Sequence, residues 1–167
     1  AETLRLPRVG LALSGGGDNG AFAAGLLNGW TAAGNRPEFK LVTGISTGAL
    51  IAPFAFVGGA KHDQALRDFY TGVTTKDVLE ARSILAAVTD DAMADNASLR
   101  RLVGRVMTAE LMQEIAAEHA KGRVLLIGTT NLDARRGVIW NLTKIAASGH
   151  PNSLQLIRDL MVASAAI

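Results

Sequence analysis

Apolar and polar positions alternate between two periods along the chain. Residues 8–14 (RVGLALS) form a short apolar run closed by glycines, which predicts a buried strand. Over residues 21–33 the period lengthens: Phe22, Leu26, Leu27 and Trp30 recur at helical spacing, with Gly25 and Gly29 four apart, where a helix could pack closely on a sheet. Gly34, Asn35, Arg36 and Pro37 form a stop and a turn. Residues 39–43 (FKLVT) read as a second strand, and residues 47–57, apolar on nearly every side, as a buried helix. Strand, helix, strand, helix with short connections predicts a parallel sheet with right-handed crossovers.

The pattern changes over residues 61–121, which are charged and mostly helical. Ser98 is the expected N-cap of a helix over 99–107, and Thr108 of one over 109–121. Glu110 in the first turn of the latter helix, Lys121 in its last and Gly122 at its C-terminal cap all agree with that direction. Residues 124–127 (VLLI) resume the buried-strand pattern. Residues 131–136 form a turn-rich connection to a strand at 138–140. Ser153 then caps a last helix with Leu154, Ile157, Leu160 and Met161 on one face. No repeat, low-complexity tract or linker interrupts this order.

Composition adds two constraints. With 49% hydrophobic and 19% charged residues, the 167 positions suit one compact domain with a sizeable core and exclude a disordered chain. The absence of Cys excludes a disulfide scaffold and a Cys/His zinc site, but fits any redox compartment. A formal charge of +2 is too small to predict a nucleic-acid partner. Residues 41–60 carry no charge over a length that could span a bilayer, yet they contain four glycines, Pro53 and three hydroxyl residues, and their period breaks at Gly44; a membrane span is therefore rejected. No signal peptide is visible behind Ala1, and the missing initiator Met is read as a processed or trimmed start, which leaves the compartment unassigned.

Twelve of the 18 glycines lie between Gly10 and Gly59, and they cluster at the two places where a strand turns into a helix. The first is Gly15-Gly16-Gly17-Asp18-Asn19-Gly20. Its consecutive glycines admit backbone conformations closed to other residues, and the helix start behind them leaves amide N–H groups unpaired, which makes an anion site. The second, Gly44-Ile45-Ser46-Thr47-Gly48, has the G-x-S-x-G form of a nucleophile elbow. Glycines flank such a serine because a side chain two positions before or after it would collide with the neighbouring strand and helix. Ser46 would stand at the top of the sheet on a helix N-terminus that favours developing negative charge.

Residues 15–20 also satisfy G-x-G-x-x-G, so a dinucleotide-binding module is an alternative. That fold wants an acidic residue at the end of the second strand; Glu38 has the spacing but lies at the start of that strand, whose end carries Gly44, Ile45 and Ser46. Ser46 needs a base, and the inventory leaves several open. His150 is the only histidine late enough for the usual hydrolase order, while His62 and His119 read as surface residues. Carboxylates acting directly include Asp90, Asp91 and Asp95 in the charged region and Asp133 after the buried strand, where a turn bond or a pair with Arg135 or Arg136 is the simpler role.

A G-G-G-x-x-G loop after the first strand, a G-x-S-x-G elbow after the second and the short interval between them resemble the patatin-like phospholipase family. The resemblance continues through Thr129-Thr130-Asn131-Leu132-Asp133 and the closing Ala163-Ser164-Ala165-Ala166-Ile167. It implies a three-layer α/β/α fold with a mainly parallel central sheet. It also implies a Ser-Asp dyad without histidine that hydrolyses acyl esters of phospholipids or related lipids. Ser46 matches the nucleophile, and the amides around Gly15, Gly16, Gly17 and Asp18 match the oxyanion hole. Asn19 stands where the family commonly has Arg or Lys, ahead of Gly20. The family's dyad aspartate lies in a D-G-G or D-G-A motif; no Asp-Gly pair occurs in residues 1–167, so that residue is expected beyond Ile167 and the domain is read as incomplete at its C-terminus. The expected enzyme needs no metal or organic cofactor, acts on lipid with possible peripheral contact to a membrane, and has no nucleic-acid partner. A catalytically silent lipid-binding fragment is the remaining alternative.

Overall fold

A computed structural model describes residues 9–71 and 96–166. Four strands, β1 (Gly10–Leu13), β2 (Leu41–Gly44), β3 (Val124–Asn131) and β4 (Arg136–Asn141), lie in that spatial order. β1 pairs parallel to β2 and β2 parallel to β3, with Leu13, Gly44 and Ile127 in one row. β4 returns antiparallel on β3 through the turn after Asn131, whose Oδ1 accepts the Ala134 amide at 2.8 Å. The sheet is therefore mixed, and the chain is α/β.

Alternation along the strands gives the sheet two unlike faces. Val42, Leu125 and Ile127 are fully buried on one face, whereas Leu41 and Ile139 point the other way and are 40% and 74% exposed. A parallel sheet is ordinarily covered on both sides.

The helices are α1 (Gly20–Ala32), α2 (Thr47–Val57), α3 (Ala60–Thr71), α4 (Asn96–Val106), α5 (Ala109–Ala120), α6 (Leu142–Ala146) and α7 (Ser153–Ala165). α2 is the core element. Every residue from Thr47 to Phe56 is buried, as its unbroken apolar sequence requires. Its last carbonyls are met by two buried arginines: Arg36 Nη2 donates to Ala55 O at 2.9 Å and Arg123 Nη2 donates to Phe56 O. Each guanidinium is neutralised, Arg36 by Asp63 and Arg123 by Glu118, both at 2.7 Å. These pairs hold the far end of the helix whose N-terminus carries Ser46.

Several local expectations hold. Thr108 caps α5 by accepting the Leu111 amide at 3.2 Å, and Gly122 takes φ 74° behind it. Others are corrected. Ser98 lies inside α4, which begins at Asn96, and the N-cap position of α7 is Asn152, without a side-chain cap bond, rather than Ser153, whose hydroxyl instead meets that of Ser148 at 2.9 Å. Gly25 and Gly29 do not pack on the sheet; nothing lies within 4 Å of a Cβ built on either. His62 is buried in the first turn of α3, with Nε2 2.5 Å from Glu114 Oε2 on α5, because the amphipathic α3 turns that position inward.

Candidate active site

The glycine loop and the Gly44–Gly48 turn meet at the C-terminal ends of β1 and β2, because the two strands are neighbours and end in register at Leu13 and Gly44. A Cβ built on Gly15 would stand 2.9 Å from Ser46 Cβ and 3.5 Å from Ser46 Oγ. The two motifs, separated by a helix in sequence, thus form one surface around one hydroxyl.

Each glycine here answers to a particular constraint. On Gly44 an added Cβ would strike the backbone of Gly48, and on Gly48 it would strike Leu13 O. The turn can close against the end of β1 only with hydrogen at both positions. In the loop, Gly16 and Gly17 take φ 148° and 52°. Gly17, Asp18 and Asn19 then make a short 3-10 turn that leads into α1, with the Asn19 amide donating to Gly16 O at 3.0 Å. The amides of Gly15 and Gly16 donate to no group among the described residues.

Ser46 has φ 55° and ψ −127°, a conformation that costs a non-glycine residue on the order of 1–3 kcal/mol and persists only where its surroundings impose it. It precedes α2, so its hydroxyl stands beside a helix N-terminus, where anionic charge is favoured. The Ile45 amide donates to Leu13 O at 3.2 Å, and the Ser46 amide to Ser164 Oγ at 3.0 Å. Thr47 Oγ1 donates to Gly17 O at 3.0 Å in a buried contact that ties the turn to the glycine loop.

Tyr70, at the end of α3, was not suggested by any motif. Its hydroxyl is buried without a hydrogen-bond partner among the described residues, and a Cβ on Gly20 would strike both it and the Thr47 methyl. Burial, and then the charge of Asp18, push the phenol above its usual range, so it is a neutral wall of the loop.

The other candidates lie elsewhere. His150 is exposed in the turn before α7, its Nδ1 accepting the Asn152 amide at 3.1 Å. Asp133 is exposed in the β3–β4 turn, where Asn131 rather than Asp133 makes the turn bond. Asp90, Asp91 and Asp95 lie outside the described residues. No carboxylate hydrogen-bonds Ser46 Oγ, and no group of His, Asp and Glu able to hold a metal occurs, among the described residues. Glu38 is exposed ahead of β2 and bonded to Lys40 at 2.8 Å, away from the glycine loop, so the acidic partner of a dinucleotide site is missing there. No described helix is long and apolar enough to cross a membrane.

A family model described as patatin-like phospholipase matches residues 11–167. No curated protein and no solved structure matches the chain.

Proposed function

The chain belongs to the patatin-like phospholipase family, and on that premise we propose that it is a serine lipid acyl hydrolase of the phospholipase A or lipase type with Ser46 as its nucleophile. The observation that carries this reading is the close approach of Gly15 to Ser46, which sets a strained serine against a loop whose Gly15 and Gly16 amides donate to no group among the described residues. Ser46 Oγ attacks the acyl carbonyl as its proton passes to the dyad aspartate. The amides around Gly15, Gly16, Gly17 and Asp18 stabilise the tetrahedral oxyanion, and the alcohol leaves with the proton. Water then attacks the acyl-enzyme with the aspartate as base and restores Ser46.

The base in this reading is the dyad aspartate, to which no residue number is assigned; nothing in the reading depends on a metal or an organic cofactor. The sheet face that carries Leu41 and Ile139 is where a second helical layer would complete the three-layer, mainly parallel fold of a single domain. The test is a fluorophosphonate probe applied to the full-length protein. Labelling at Ser46 that disappears in Ser46→Ala is expected, and equal labelling of both would overturn the assignment.

Contact with a lipid surface is part of the same reading. Phe22 and Leu26, in α1 directly after the glycine loop, are 76% and 56% exposed, and α1 carries no charge. Phe22→Ser with Leu26→Ser should weaken sedimentation with phosphatidylcholine vesicles without changing probe labelling. Undiminished sedimentation would remove the lipid-surface role.

A further inference from the structure

Ser164 is in the last turn of α7, 118 positions from Ser46, in the closing segment that carries part of the family resemblance but to which no role was attached. Its hydroxyl makes two bonds: Oγ accepts the Ser46 amide at 3.0 Å and donates to Gly128 O, on β3, at 2.7 Å. The β2–β3 ladder ends at the row of Gly44 and Ile127. Beyond it the chain leaves the sheet to form the turn, so the next rung between these strands is absent. The Ile45 amide still reaches β1, through Leu13 O at 3.2 Å. The following amide, that of Ser46, points the other way, as in a strand, and cannot join the ladder of α2, which it precedes.

We propose that Ser164 is a positioning residue for the nucleophile, its hydroxyl standing in as the missing rung between Ser46 and β3. This inference rests on the acyl-hydrolase reading. Donation to Gly128 O commits the hydroxyl proton and leaves an oxygen lone pair for the Ser46 amide. The strained backbone of Ser46 is then pinned on both sides, to β1 through Ile45 and to β3 through Ser164. Removing the hydroxyl orphans the Ser46 N–H and the Gly128 C=O together, directly beneath the reacting oxygen. A small shift there is costly, because nucleophilic attack depends on placement to a fraction of an ångström.

The test compares wild type, Ser164→Ala and Ser164→Thr by two measurements. The first is amide hydrogen exchange by NMR at Ser46, with Val42 in the core of β2 as the reference for global stability. The second is the maximal rate of fluorophosphonate labelling and the probe concentration giving half that rate. In Ser164→Ala, Ser46 exchange should accelerate at least tenfold relative to Val42, and the maximal labelling rate should fall about tenfold at unchanged half-saturation. Ser164→Thr, which keeps the hydroxyl, should recover both. Equal labelling rates in wild type and Ser164→Ala, or a Ser46 exchange change no larger than that at Val42, would overturn the positioning role alone. Failure of wild type to label at Ser46 would overturn the hydrolase reading, and this inference with it.

Discussion

Gly15 and Ser46 are in van der Waals register: a Cβ on the former would stand 2.9 Å from the Cβ of the latter. Gly15 is not among the glycines with positive φ, so alanine can adopt its backbone. The clash falls on the nucleophile instead. Gly15→Ala is expected to lower the rate of probe labelling by roughly 100-fold while changing the melting temperature little, because a displacement near 1 Å is enough for such a loss. Labelling kinetics and thermal unfolding on the same sample check it; a wild-type rate would show that the loop gives way freely.

Thr47 supplies the polar tie between the motifs. Thr47→Val keeps the shape and removes the donor, leaving Gly17 O without its 3.0 Å bond in a buried site. Destabilisation of about 1–3 kcal/mol is expected, read as a fall of several degrees in Tm. Thr47→Ser should lose much less, and if the two variants melt together the hydroxyl is not what matters.

The Arg36–Asp63 pair lies behind the capped end of α2, with both side chains under one tenth exposed. Asp63→Ala leaves the guanidinium buried and unpaired, and a loss of about 3–5 kcal/mol is expected in urea unfolding. Asp63→Asn retains an acceptor oxygen and should lose less. A cost for Asp63→Ala within that of an ordinary surface change would refute the role given to the pair.

Glu114 joins α5 to α3 through Lys61 at 3.0 Å and His62 at 2.5 Å. Burial raises the affinity of its carboxyl for a proton, but the Lys61 bond and the His62 charge outweigh that, and the net pKa lies below the ordinary 4.5. A carboxyl with a depressed folded-state pKa stabilises the fold above its unfolded value, and that contribution disappears as pH falls through the folded value. The stability difference between wild type and Glu114→Gln should therefore shrink as pH drops from about 5 to about 3. Urea titrations across that range measure it; a gap that stays constant to the acid end would contradict the assignment.

Legibility from sequence differed from place to place for identifiable reasons. Both strand-to-helix turns could be found because glycine is required where backbones touch, and that requirement is written locally, at Gly44 and Gly48 and in Gly15–Gly17. α2 was legible because an uninterrupted apolar run has no other place than the core. His62, by contrast, looked like one charged-region residue among many. Its partner in the fold is Glu114, 52 positions away, and no local pattern encodes that pairing. Tyr70 was invisible for the same reason.

The sequence by itself determined the α/β order, the identity of the two glycine-rich turns and the serine between them, since these follow from period, steric size and backbone freedom over a few adjacent residues. Only the tertiary structure decided what surrounds that serine: Gly15 against its side chain, Thr47 tied to Gly17, Ser164 beneath its amide and two buried arginines at the far end of its helix. These are contacts between segments distant in the chain, and the register of one strand on the next, rather than any local preference, selects which groups meet.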